Sequence, residues 1–378
     1  MGVETSSSGT QHFSDDGCVS SRKPNATVSF EKPERANELK NHKIYKKSKA
    51  SWLQRNQILL ASSLLNALFI LKQIPSFQSL VNKFFHLQYK NLDGTYDIGK
   101  DDYFFVIYWI INLTIIRSVL MDWVLEPLAI KIVGINNRKA LTRFKEQGWS
   151  LFYYTTSWTV GFYLYYKSDY FFNCDHIFIG WPNNKLDFYF KSYYLIQMSC
   201  WLQQIVVLNI EERRKDYVQM FSHHIITCLL IIGSYYYYFL QIGHVILVMM
   251  DIVDVFLSLA KMLKYCGYST LCDVMFFIFL VSWIAIRHVC YNYVFWHTCT
   301  KSRDLMNADC SRYAIYGGPL DVTPVRCYTD STIRYFIFLL GGLQIITLIW
   351  MYLILKVFIG VITGKGAEDV RSDDEESS

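Results

Sequence analysis

Eight apolar blocks, each long enough to cross a hydrocarbon core of ~30 Å at about 1.5 Å of helix per residue, constrain this chain more than any other feature. They lie near 57–74, 103–125, 149–167, 188–210, 221–240, 244–263, 271–297 and 332–360. Lipid offers the backbone no hydrogen-bond partners, so such blocks must close their own bonds as helices. The pattern predicts an all-α polytopic membrane protein with about eight transmembrane helices. The first block is the weakest, because its uninterrupted run is short and carries Asn66; a re-entrant or interfacial segment is the alternative there. The last block is long enough to tilt or to extend beyond the bilayer.

Composition agrees. Of 378 residues, 52% are hydrophobic and 18% charged, and a net charge of only +5 with seven prolines argues against a disordered or nucleic-acid-binding chain. Ten cysteines form no CxxC pair, which excludes a zinc ribbon or a thioredoxin-type site. Residues 1–55 read as a basic, largely disordered arm without the apolar core of a signal peptide. Residues 56–139 hold two spans, 140–362 the remaining six, and 363–378 an acidic tail.

Positive charge orients the bundle. With eight spans both termini share one side with the arm Lys32 to Arg55, the loop carrying Lys131, Arg138, Lys139, Arg143 and Lys145, and the run Arg213-Arg214-Lys215. That side is expected to be cytosolic. The opposite loops, 168–187 and 298–331, carry Cys174, Cys299, Cys310 and Cys327, and an oxidising lumen would allow a disulfide between some pair of them. Asn25 and Asn112 match the glycosylation pattern, but one falls on the cytosolic arm and the other inside a span, so neither is expected to carry a glycan. Ser372, followed by acidic residues, suits an acidophilic kinase; plain solvated disorder is the alternative.

Ionisable groups within a span are costly and mark function by default. The densest set lies on two consecutive spans. The fifth reads Phe221-Ser-His-His-Ile-Ile-Thr-Cys and continues to Ser234-Tyr235; the sixth carries His244, Asp251, Asp254 and Ser258. At ~100° per residue His223, Thr227 and Ser234 share one stripe while His224 turns away, and the four polar groups of the sixth span share an arc. Only Gln241, Ile242 and Gly243 separate these spans in this reading, so they are expected to pack as a hairpin enclosing a wet pocket. An imidazole beside a buried carboxylate suits proton abstraction or acyl transfer. A His–Asp pair that merely fixes helix register is the structural alternative. No HxxxH or HxxHH occurs, which argues against a metal site. Arg117, Asp122 and Arg287-His288 are less telling, as pairs or as side chains reaching an interface, and the Tyr-rich runs read as interfacial belts.

The stretch Arg214-Lys-Asp-Tyr-Val-Gln-Met-Phe-Ser-His-His-Ile-Ile-Thr, with Ser234-Tyr235, Gly243, Asp251-x-x-Asp254 and Leu257, resembles the Lag motif of ceramide synthases within the TLC-domain family. Met250 before the first aspartate, where many animal members have His, is similar to the fungal form. The resemblance implies a TLC bundle over roughly 140–360, preceded by the extra pair of spans typical of fungal members. It implies transfer of a fatty acyl group from acyl-CoA to the amine of a sphingoid long-chain base in the endoplasmic reticulum membrane, with very-long-chain donors. A small single-span accessory subunit, and a homo- or hetero-dimer with a paralogue, are the expected partners; no cofactor is implied, acyl-CoA being a substrate.

On this reading His223, His224, Asp251 and Asp254 are the catalytic candidates, with His223 favoured because it shares the Thr227 stripe. Either histidine accepting the amine proton, or imidazole attacking first to give an acyl-histidine, fits the residues. Arg213, Arg214 and Lys215 would meet the anionic CoA, and Thr227, Ser234, Tyr235 and Ser258 would line the substrate site. A non-catalytic TLC protein in translocation or membrane lipid organisation, and a lipid or proton transporter, are the competing classes.

Overall fold

The computed structural model describes residues 52–210, 216–306, 315–316, 324–326 and 330–363. All eight apolar blocks are helical. The helices are α1 (Trp52–Lys72), α2 (Pro75–Phe85), α3 (Asp102–Val133), α4 (Arg138–Lys167), α5 (Phe188–Ile210), α6 (Tyr217–Tyr236), α7 (Leu240–Tyr265), α8 (Ser269–Met306) and α9 (Asp330–Ile362). A small antiparallel pair, Ile315–Tyr316 with Pro324–Arg326, is the remaining regular structure named outside the helices. The protein is thus a polytopic helical membrane protein.

Helices α3, α6, α7, α8 and α9 are long and apolar enough to cross a membrane. The composition of α4 and α5 is more polar because several of their polar residues face protein: Ser157, Lys191, Gln197, Ser199 and Gln203 are all buried. Local signals explain the boundaries. Pro75 opens α2, Gly134 takes a left-handed conformation (φ 77°) to end α3, and the Asn137 side chain caps α4 by accepting from Lys139 N at 2.9 Å. Asn112 sits well inside α3, as its span assignment required.

The helices adjoin one another in a closed order, α3–α5–α6–α9–α8–α7–α4 and back to α3, with α1 and α2 packed on α3. Within it α6 and α7 remain contacting neighbours joined by a short turn, but the turn residues and the main packing partners differ from the expectation. The turn between α6 and α7 is Tyr237-Tyr238-Phe239, while Gln241, Ile242 and Gly243 already belong to α7. More importantly, α7 packs chiefly on α4 and α8, and α6 on α5 and α9. The closest seam is α4 against α7, where Gly161 leaves room that a Cβ would fill at 2.9 Å from Val248. Held by different neighbours, α6 and α7 do not close on each other along their length, and space remains between them.

Candidate active site

His223 and His224 lie in the second turn of α6, and helical rotation sends their rings apart. His224 is held at both nitrogens: Nδ1 donates to Met220 O at 2.7 Å, and Nε2 lies 2.9 Å from the Gln204 side-chain amide. His223 differs. Its ring packs against Trp201 and Trp350, at centroid distances of 5.4 and 5.0 Å, and its buried Nδ1 has no hydrogen-bond partner. Thr227, one turn on, is buried with its hydroxyl likewise unpartnered. Ser234 shares this face and bonds Tyr194 Oη at 2.5 Å.

The two aspartates of α7 also separate. Asp251 is 1% exposed and faces α4 and α5, accepting from Ser157 Oγ at 2.5 Å and Gln197 Nε2 at 3.2 Å. Gln197 in turn bonds Ser157, Tyr193 and Tyr153. Asp254, about one turn away, faces the interior and pairs with Arg287 of α8, Nη2 to Oδ1 at 2.9 Å. Arg287 also donates to Met250 O at 3.2 Å and lies over the Trp283 ring. It belongs to a π-wound segment of α8, Trp283–Cys290. One extra residue per turn shifts the facing of everything beyond it, and such segments recur at functional sites.

Two cavities meet here. A more polar chamber opens at the histidine end and is lined by Arg117, Arg143, Lys261, His224 and Ser258 among others. A narrow apolar tunnel runs along α6 past Thr227 and Ser234 to Phe239 and Phe336. His223, Trp201, Asp254 and Arg287 line both. From His223 to Ser234 the tunnel follows eleven residues of helix, about 16 Å. A charged, hydrated group therefore fits at one end and an alkyl chain at the other, with an unpartnered imidazole where they join.

Of the residues singled out in the sequence, Thr227 and Ser234 line the tunnel, His223 and Asp254 both spaces, and His224 and Ser258 the chamber. Asp251 and Tyr235 line neither; the Tyr235 hydroxyl donates to Asp102 at 2.7 Å. Arg213, Arg214, Lys215, Cys310, Cys327 and Ser372 lie outside the described residues, as does Asn25. Cys174 and Cys299 are free thiols, so the expected bridge does not form between these two. The loop there is tied to α8 differently, Asp175 accepting from His297 at 2.6 Å. His244 is fully buried between Tyr170 Oη and Gly161 O, bonded at 2.8 and 2.9 Å, and so fixes packing. No cluster of metal-ligating side chains occurs among the described residues.

Sequence reasoning missed four contributors. Gln204 and Trp201 come from α5, Trp350 from α9, and Arg287 was passed over as one of several intramembrane charges. Arg287 was detectable in principle, since a buried cation requires a partner and Asp254 stood in need of one. Arg117, Arg143 and Lys261, from three separate helices, also line the chamber, whereas the expected Arg213, Arg214 and Lys215 fall outside the described residues.

Residues 143–356 match the family described as the TLC domain. A sphingosine N-acyltransferase-like protein of Alternaria alternata is 39% identical, over 76% of this chain and 71% of its own length. A sphingosine N-acyltransferase of Schizosaccharomyces pombe is 38% identical, over 80% of this chain and 75% of its own. A ceramide synthase of Gibberella moniliformis is 36% identical, over 81% and 76% respectively. With most of the chain aligned at these identities, and the family domain covering the helices that enclose both cavities, the chain belongs to the TLC-domain family.

Proposed function

We propose that this chain is a ceramide synthase, an acyl-CoA-dependent N-acyltransferase acting on the amine of a sphingoid long-chain base. The observation that carries this reading is His223, buried with a free Nδ1 where a polar chamber meets an apolar tunnel. The names of the fungal relatives support it and do not favour a non-catalytic role.

The CoA headgroup is anionic and would occupy the chamber, facing Arg117, Arg143 and Lys261. Its acyl chain would lie in the tunnel, which places the thioester beside His223. The neutral amine attacks the thioester carbonyl carbon; a C–N bond forms and the C–S bond breaks. His223 takes the proton lost by nitrogen and returns it to the departing thiolate, giving free CoA. His224, held at both nitrogens, serves to fix Trp201 and the local frame rather than to exchange protons. Asp251 locks α4, α5 and α7 together behind the site. On the charge argument the chamber faces the cytosol together with both termini, and the endoplasmic reticulum membrane is the proposed location. A small single-span subunit and a dimeric assembly belong to the same proposal.

The test uses membranes from cells lacking their own ceramide synthases and expressing this chain with a fungal accessory subunit. Conversion of dihydrosphingosine is followed with a ladder of acyl-CoAs. N-acyl product from wild type, lost in His223→Ala at equal protein level, is the expected result. No product from folded wild type would turn the reading to a non-catalytic role.

A further inference from the structure

The proposed reaction needs more than a base. As nitrogen attacks, the carbonyl π electrons move onto oxygen, and that charge must be met by donors already in place. Around the junction, two donor-only groups are buried without partners: Arg287 Nε and Trp350 Nε1. Guanidinium and indole N–H groups cannot accept, so only an incoming acceptor satisfies them. Both line the chamber together with His223 and Trp283. The Trp350 ring lies 5.0 Å from that of His223 and 6.3 Å from that of Trp283, and Arg287 Cζ sits 4.2 Å from the Trp283 centroid.

Resting on the acyltransfer reading, we infer that Arg287 Nε–H and Trp350 Nε1–H form the donor pair that holds the thioester carbonyl oxygen and stabilises the oxyanion. Charge decides against the main alternative, a phosphate of CoA. Arg287 is already neutralised by Asp254 at 2.9 Å and borders the apolar tunnel as well as the chamber. A pair of nearly zero net charge suits a neutral carbonyl that becomes charged only during reaction. Asp254 thereby acts as a positioning residue: with Met250 O it engages Nη2 and leaves Nε–H directed elsewhere. The tetrahedral oxyanion then collapses, re-forming C=O as the C–S bond breaks, and the thiolate takes the proton from His223.

The experiment uses the purified full chain with its subunit and compares wild type, Arg287→Lys and Trp350→Phe. Lysine keeps a cation for Asp254 but loses the Nε–H, and phenylalanine keeps the ring but loses the N–H. For each variant kcat is measured alongside the Kd of S-hexadecyl-CoA, a thioether in which CH2 replaces the carbonyl. The expected result is a fall in kcat of about 100-fold for Arg287→Lys and about 10-fold for Trp350→Phe, with thioether affinity unchanged within about threefold. Either variant retaining wild-type kcat overturns the pair, as does a loss of thioether affinity equal to the loss of kcat. If Arg287→Lys fails to fold, Trp350→Phe decides alone by the same criteria. Wild type that binds acyl-CoA yet makes no N-acyl product removes the acyltransfer reading instead.

Discussion

Two buried polar clusters sit at opposite ends of α6 and are built on opposite rules. At the far end, Lys191 is wholly buried, pairs with Asp102 at 2.7 Å and donates to Gln88 O and Asp97 O at 2.9 and 2.7 Å. Asp102 also accepts from Gly99 N at 3.0 Å and Tyr235 Oη at 2.7 Å. At the near end, His223 Nδ1, Thr227 Oγ1, Arg287 Nε and Trp350 Nε1 are buried with nothing to bond. Satisfied polar groups in a low-dielectric interior rigidify; unsatisfied ones cost stability and are retained where a ligand completes them. The first cluster joins α3, α5 and α6, and on the proposed function the second is completed by substrate.

His223→Ala gives the largest separation between the two. The rate of N-acylation should fall by at least ~10³-fold, while the thermal midpoint stays near wild type because no hydrogen bond to Nδ1 is lost; a large drop in midpoint would make His223 a structural residue. Removing Lys191 by Lys191→Met should do the reverse, destabilising by about 3–5 kcal/mol because Asp102 is left buried and unpaired. Detergent or thermal unfolding measures this, and Asp102→Asn combined with Lys191→Met should restore part of the loss.

Gln197→Leu probes the second satisfied cluster, around Asp251. A cost of about 1–3 kcal/mol in unfolding is expected, because Asp251 keeps only Ser157 as donor and the Tyr153 and Tyr193 hydroxyls lose their amide partner. Thr227→Val sharpens the contrast on the unsatisfied side. Its shape is preserved and its hydroxyl has no partner, so stability should hold or rise by less than ~1 kcal/mol. The smallest effect belongs to the surface pair Asp93–Lys185, 2.8 Å apart and solvent-exposed. Lys185, then Thr95, hold the Asp93 carboxyl well below the usual carboxylate range. Its contribution is therefore present at neutral pH and lost as pH falls below about 4. Asp93→Asn in physiological salt should leave the thermal midpoint within error.

Much of the architecture was legible because helix length and apolar periodicity are local properties. The eight blocks appear as helices, and the His223–Thr227–Ser234 stripe follows from ~100° per residue alone. The α6–α7 hairpin enclosing a pocket was also expected, but which neighbours hold the two helices apart was not, for an equally physical reason. Chain proximity sets where helices begin, but side-chain fit decides which faces close, and Gly161 brings α4 onto α7. Asp251 and Asp254, three residues apart, thus acquire different surroundings: one is locked among Ser157 and Gln197, the other opens on the cavities.

The sequence by itself determined a helical membrane protein and the family motif with its two histidines and two aspartates, but not their partners: the expected imidazole–carboxylate contact is replaced by Asp251 on Ser157 and Gln197 and by Asp254 on Arg287. Tertiary structure alone decided which histidine is free, since Gln204 and Met220 O engage His224 and nothing engages Nδ1 of His223. It also decided that Arg287 faces Asp254, because α8 winds as a π-helix over Trp283–Cys290 and no regular-helix reading anticipates that rotation. The cavities have the same origin. They are the space left between helices whose best packing partners lie elsewhere, a property of the assembled bundle that no single segment carries.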